Sequence, residues 1–299
     1  MAPRKQKPAA RSTIPGVYTK ADVDPSEREY APEPFPFARY TSLVGVHTSL
    51  LAFSALFLPQ TTSFFIDIPA RVTDRPAHPL VETLAYSPVL SLVWIAGGVF
   101  VLQSWWAGWI RMWYFEQASR GTYAEKKIEQ SEISKAKFAD YGKASVFTLT
   151  VSVVYHAIVI LFGAPVLSHH PHTYLLSLIL AFLTVFAPAY SLGRLTMGND
   201  TASWIKWFNW TRLFVEFSPR NAIERAMVYP SIGTLVGCWF GVIPLALDWD
   251  RPWQAWPLPP LFGAIIGYIL GSLGALVTTG VYWLAEEQIR SEQMRQKTK

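Results

Sequence analysis

Charge is scarce in this chain and unevenly spread. Only 16% of its 299 residues are Asp, Glu, Lys or Arg, whereas a soluble domain carries about a quarter. The shortage is local. Six stretches have no charged residue at all: Tyr40–Leu58, Pro88–Ile110, Ala144–Val166, Thr173–Gly193, Ala226–Leu247 and Leu258–Leu284. Each is of the order of the ~20 apolar residues that cross a bilayer. With 51% hydrophobic residues overall, the chain reads as an all-α membrane protein with six transmembrane helices.

Other absences narrow the function. Cysteine occurs once, at Cys238 inside the fifth span, which excludes an intrachain disulfide and a cysteine zinc site. The first 39 residues hold no apolar run of signal-peptide type, so the first span is expected to serve as the targeting signal. Acidic and basic groups are missing from the span interiors, where ion-coupled transporters and proton pumps keep theirs. The polar groups there are His47, Gln103 and His156, read as interhelical hydrogen-bonding partners. No P-loop and no internal repeat is visible.

What charge there is sets the topology. Twenty-three of the 26 lysines and arginines fall in the N-terminal segment, the second and fourth loops and the C-terminal tail. The positive-inside rule puts these in the cytosol, together with both termini. The net charge of +5 is therefore a topology signal, and no nucleic-acid partner is expected. Residues 1–36 read as a disordered cytosolic tail, 37–285 as the six-helix domain and 286–299 as a second cytosolic tail. The proline-rich first loop, Pro59–Ser87, is expected to be irregular. The second, Glu116–Tyr141, reads as a polar helix. Thr201–Phe217 mixes Trp204, Trp207, Phe208, Trp210, Phe214 and Phe217 with Lys206, Asn209 and Arg212. This pattern suits an interfacial helix between spans four and five at the cytosolic surface. The sequons at Asn199 and Asn209 lie in that loop and are expected to carry no sugar.

Two features stand out against this background. Glycines recur every fourth residue at Gly233, Gly237 and Gly241, and again at Gly263, Gly267 and Gly271. Such a stripe lets another helix backbone approach closely in lipid. The neighbour is either the other stripe or a partner protein. Between the stripes runs Leu247-Asp248-Trp249-Asp250-Arg251-Pro252-Trp253-Gln254-Ala255-Trp256-Pro257, a polar hairpin on the lumenal side. Asp248 and Asp250 can turn the chain, and Arg251 can pair with either or with a partner's phosphate or carboxylate. Trp249 and Trp253 suit an interface, since Trp and Arg are common at binding hot spots. His169, His170 and His172 crowd the short third loop, yet nothing fixes a metal-binding spacing with the two aspartates. No metal, cofactor or catalytic residue is assigned.

The run from Phe217-Ser218-Pro219 through Gly237-Cys238-Trp239-Phe240-Gly241-Val242-Ile243-Pro244-Leu245, the Asp-Trp-Asp-Arg-Pro-Trp-Gln motif, Gly263-Ala264 and Gly267-Tyr268 closely resembles the PIG-F family. These are glycosylphosphatidylinositol (GPI) biosynthesis proteins of the endoplasmic reticulum membrane. The likeness covers about residues 214–283, and the first four spans match in number, length and hydropathy. It implies a multi-pass accessory subunit that stabilises catalytic ethanolamine phosphate transferase subunits of the PIG-O and PIG-G kind. Those enzymes add phosphoethanolamine to GPI mannoses on the lumenal face. The motif Asp248, Trp249, Asp250, Arg251, Pro252 and Trp253 carries over as a partner-binding or lumenal element, without a catalytic role. Membrane lipid and a GPI precursor are further expected partners. The alternative is a lipid-handling enzyme or flippase that acts directly on GPI precursors.

Overall fold

The computed structural model describes residues 35–66, 78–119, 122–196 and 198–297. The first 34 residues of the expected N-terminal tail, and part of the first loop, lie outside them. Six helical segments are long and apolar enough to cross a membrane. Among the described residues there is no strand.

Helix α1 runs Phe37–Phe57 and continues into a tight 3-10 segment, Leu58–Phe64. A short helix α2, Pro79–Tyr86, follows. The described part of the loop expected to be irregular is thus helical. Its prolines explain this, because a proline stabilises the first turn of a helix while it breaks a longer one. Gln60 ties the two pieces together by donating to the carbonyl of Leu80 at 3.0 Å.

Helix α3 is Pro88–Ala118 and α4 is Tyr123–Leu161. The polar helix expected in the second loop is the first part of α4 and runs unbroken into the third span. The described residues fall into two contact units, 119–135 and the remainder. In the smaller one, Thr122 and Glu125 cap α4 reciprocally, through Thr122 N–H to the Glu125 carboxylate at 2.8 Å and Glu125 N–H to the Thr122 hydroxyl at 3.3 Å. Ser119 donates to Glu129 at 3.1 Å.

The remainder holds the core. Its fourth span is α5, His170–Ala181, a π-turn at Phe182–Phe186 and α6, Ala187–Leu192. This span is the most enclosed. In its most apolar window 89% of residues are buried, against 17% for α4. The π-turn has an identifiable cause. Pro188 cannot donate to the carbonyl four residues back and its ring crowds it. That carbonyl belongs to Thr184, and it accepts the Ser231 hydroxyl of the fifth span at 3.1 Å. The Thr184 hydroxyl bonds Leu180 O at 2.8 Å and pairs with Tyr155 OH at 3.1 Å. The proline thus frees an acceptor that joins the fourth and fifth spans, and the hydroxyl of the same threonine reaches the third.

The opposite end of the span is held by a cation. Buried Arg111 donates to Asp140 and to the carbonyl of Tyr190, both at 2.7 Å, and lies over the Tyr190 ring. It satisfies one of the carbonyls a helix leaves unpaired at its C-terminus. Near it lies α7, Thr201–Phe214, capped by Asp200. The Ser203 hydroxyl, at 2.6 Å, holds the Asp200 carboxyl below the usual range. Trp204, Ile205, Trp207 and Phe208 are exposed on α7. Arg212 leaves α7 to form a two-pronged pair with Glu224, at 2.6 and 2.9 Å. Glu224 also accepts Arg220 N–H at 2.6 Å.

Helix α8 is Ala222–Phe240, capped by Asn221, and α9 is Leu258–Lys297. The residues expected as a C-terminal tail, as far as Lys297, continue α9. Helices α8 and α9 form the most extensive contact between any two elements. In the core, His47 stacks on Trp106 at 5.0 Å and meets the Tyr268 ring at 5.6 Å, which packs α1 and α3 against α9. Gln103 is fully buried on α3.

Candidate functional site

The two glycine stripes face each other. A Cβ built on Gly237 would meet the carbonyl of Gly263 and come within 2.9 Å of Gly267 Cα. One on Gly267 would meet the carbonyl of Gly233, and one on Gly263 that of Gly237. At the seam's ends Gly241 lies against Pro259 O, at 2.6 Å, and Gly271 against Tyr229 O. Each neighbour is backbone and cannot swing aside. The stripes clear the α8–α9 contact itself.

At one end of the seam the chain turns through the motif. The side-chain hydrogen bonds that close this turn come from Gln254 and not from the aspartates. Its side-chain oxygen accepts Arg251 N–H at 2.8 Å, and its amide donates to Pro244 O at 2.7 Å and Leu247 O at 2.8 Å. Three backbone groups that would otherwise need water are satisfied by one side chain. Asp250 sits in the left-handed region at φ 46°, a conformation Asp tolerates better than most residues. Trp249 and Trp253 meet edge to face at 5.8 Å. Trp256 anchors the hairpin to α5 by donating to the Thr173 hydroxyl at 3.1 Å, and α2 packs on the turn at Pro252–Gln254.

Of the partners the sequence allowed Arg251, its two neighbouring aspartates are not used. Arg251 pairs with neither Asp248 nor Asp250: the ion pairs among the described residues are Arg111–Asp140, Lys143–Asp140, Arg212–Glu224 and Arg290–Glu287. With Gln254 closing the turn, Asp248, Trp249, Asp250 and Arg251 are exposed, and Pro252 and Trp253 are half-buried. The rings of His169 and His172 are 4.9 Å apart. Among the described residues no three groups of metal-binding type converge. Sequence reasoning missed Gln254 and the Trp256–Thr173 link. Nothing in a local pattern announces a side chain that bonds seven and ten residues back. The Pro188 π-turn did have a signal, a proline inside an apolar span.

Beside the hairpin, an apolar cavity of about 1000 Å³ lies between the ends of α4, α5 and α8, and Trp256 and Pro260 also line it.

Comparison with known proteins bears on the whole of this region. A sequence model of the GPI biosynthesis protein family Pig-F matches residues 59–276. The chain is 32% identical over 214 residues to the glycosylphosphatidylinositol anchor biosynthesis protein 11 of Pyricularia oryzae, covering 70% of each protein. It is 38% identical over 133 residues to the protein of that name from Debaryomyces hansenii, covering 44% of this chain and 52% of the relative. A human protein named GPI ethanolamine phosphate transferase, stabilizing subunit, is 29% identical over 147 residues, 49% of this chain and 61% of the relative. No solved structure matches. A match that takes in four of the six spans whole, part of the last, the glycine seam and the clasped hairpin places the chain in the Pig-F family of GPI biosynthesis proteins.

Proposed function

We propose that this chain is a non-catalytic membrane subunit in GPI-anchor biosynthesis, and that it stabilises catalytic ethanolamine phosphate transferase subunits in the endoplasmic reticulum membrane. Family membership together with the human relative's name supports the reading. The observation that carries it in the molecule is the form of the hairpin. Gln254 and Trp256 hold the turn from inside, so Trp249 and Arg251 face outward from a rigid base. A preorganised display of Trp and Arg loses little freedom on docking and suits a protein contact.

In this reading both termini and α7 lie on the cytosolic side, and the hairpin lies in the lumen. The exposed aromatic face of α7 rests at the cytosolic membrane surface, with its rings at headgroup depth. PIG-O-like and PIG-G-like enzymes are the partners, and membrane lipid or a GPI precursor passes near the hairpin. The test is to tag the full chain, extract it in mild detergent and identify what co-purifies. A large transferase should appear, and Arg251→Ala should weaken its recovery. Transfer of phosphoethanolamine by the purified chain alone would refute the accessory role.

A further inference from the structure

The cavity beside the hairpin has a definite chemistry. Tyr155 and Val159 of α4, Leu180 of α5, Cys238 and Trp239 of α8, and Trp256 represent its walls. Its polar groups make few demands. Tyr155 OH already pairs with Thr184 and Trp256 N–H with Thr173, each at 3.1 Å. The Trp239 side chain is exposed, and a thiol such as that of Cys238 behaves as a small apolar group. A polar molecule placed inside would lose its hydration without compensation. At about 1000 Å³ the space is at the upper end of the ~300–1,000 Å³ common for bound small molecules.

We propose that this cavity holds an acyl chain of a zwitterionic glycerophospholipid whose headgroup lies at the hairpin. The walls belong to helices that the bilayer surrounds, and Phe162 at the rim is 79% exposed, so hydrocarbon has direct access. The charge of the hairpin fits the headgroup. Asp248 and Asp250 offer carboxylates to an ammonium group, and Arg251 offers a guanidinium to a phosphate. All three are exposed and outside the ion pairs described above. Gln254 bonds this loop to the carbonyls of Pro244 and Leu247, which flank the cavity-lining Leu245 and Ala246. The charges and the hydrocarbon slot are therefore parts of one framework. A partner's transmembrane helix fits less well. Close helix packing in lipid needs small residues, and Phe162, Leu235 and Trp239 here are bulky. The inference goes beyond the accessory role and depends only on the helices crossing a membrane.

The experiment uses the full chain alone in vesicles of phosphatidylcholine. These are doped in turn with phosphatidylethanolamine or phosphatidylglycerol carrying a photoreactive acyl tail, and the label is mapped by peptide mass spectrometry. The expected result is label concentrated on 155–165 and 235–246, stronger from the zwitterionic probe. Cys238→Trp and, separately, Leu180→Trp fill the slot and should each lower that label about tenfold, or about 1.4 kcal/mol. Asp248→Asn with Asp250→Asn should remove the headgroup preference while acyl labelling remains. Both filled variants are to be checked for an unchanged elution profile. Label spread evenly over all lipid-facing helices, or indifferent to both fillings, overturns the proposal. So does label that moves onto a transferase helix once the partner is added. Co-purification is read separately, so a failed lipid site and a failed accessory role give different results.

Discussion

Gln254 makes three hydrogen bonds to backbone groups that the turn would otherwise leave unpaired. At about 1 kcal/mol for each bond, Gln254→Leu should cost roughly 2–3 kcal/mol and lower the thermal midpoint in detergent. Gln254→Glu keeps the acceptor for Arg251 N–H but sets a carboxylate oxygen against the Pro244 and Leu247 carbonyls, so its midpoint should fall as well. Glu224 poses a different problem. Its carboxylate is 8% exposed and takes Arg212 on both oxygens. Glu224→Leu leaves Arg212 without its partner and should cost about 3 kcal/mol. Arg212→Leu combined with Glu224→Leu should recover part of that loss, and chemical denaturation of the two variants side by side decides the matter. The sequence announced neither contact, although Gln254 ends the motif that carries the family resemblance. A bidentate pair across twelve residues obeys no local spacing, and Gln254 looks like any polar loop residue until the chain folds back on it.

At the scale of the element, glycines that look alike in sequence separate in the structure. Gly45, Gly97 and Gly108 have nothing within 4 Å of a built Cβ, whereas Gly237 and Gly267 meet backbone. Gly97→Ala should be neutral or stabilising by up to about 1 kcal/mol, since alanine favours helix. Gly267→Ala should already destabilise, and Gly267→Leu should cost about 3 kcal/mol or more as α9 is forced off α8. Loss of monodisperse protein in the leucine variant, with a normal yield for Gly97→Ala, is the readout. Here the sequence was informative, because period four in an apolar run has one steric meaning. Hydropathy also located the cores of all six spans, but it ends where charge begins. It therefore missed that α4 starts at Tyr123 and that α9 reaches Lys297. A helix outside the bilayer continues on side-chain pairs and capping, which a hydropathy window cannot register. The short helices after α1 were hidden by their prolines.

For the whole molecule, the prediction concerns its orientation across the membrane. Cys238 is the only native cysteine, so Cys238→Ala gives a background for single-cysteine probes. In sealed microsomes a cysteine at Asp250 should be shielded from an impermeant maleimide, and one at Ser218 should react. Sugar on Asn199 or Asn209, or the reverse labelling pattern, would mean that the distribution of Lys and Arg had been misread. The charge asymmetry behind this expectation is a property of the chain as a polymer. It was available before any fold, unlike the distant contacts that build the hairpin and the cavity.

The seam between α8 and α9 has one more property. Glycine has no rotamers, so this interface cannot repack in small steps. Gly233, Gly237, Gly263 and Gly267 each sit between two glycines of the other stripe, and the next register that matches glycine to glycine is four residues along, about 6 Å by helical rise. The stripe alone would tolerate that slip. What forbids it is the short connection from Gly241 to Leu258, closed by Gln254 and pinned to α5 through Trp256. The glycines make the two helices close, and the loop decides which turn of one faces which turn of the other.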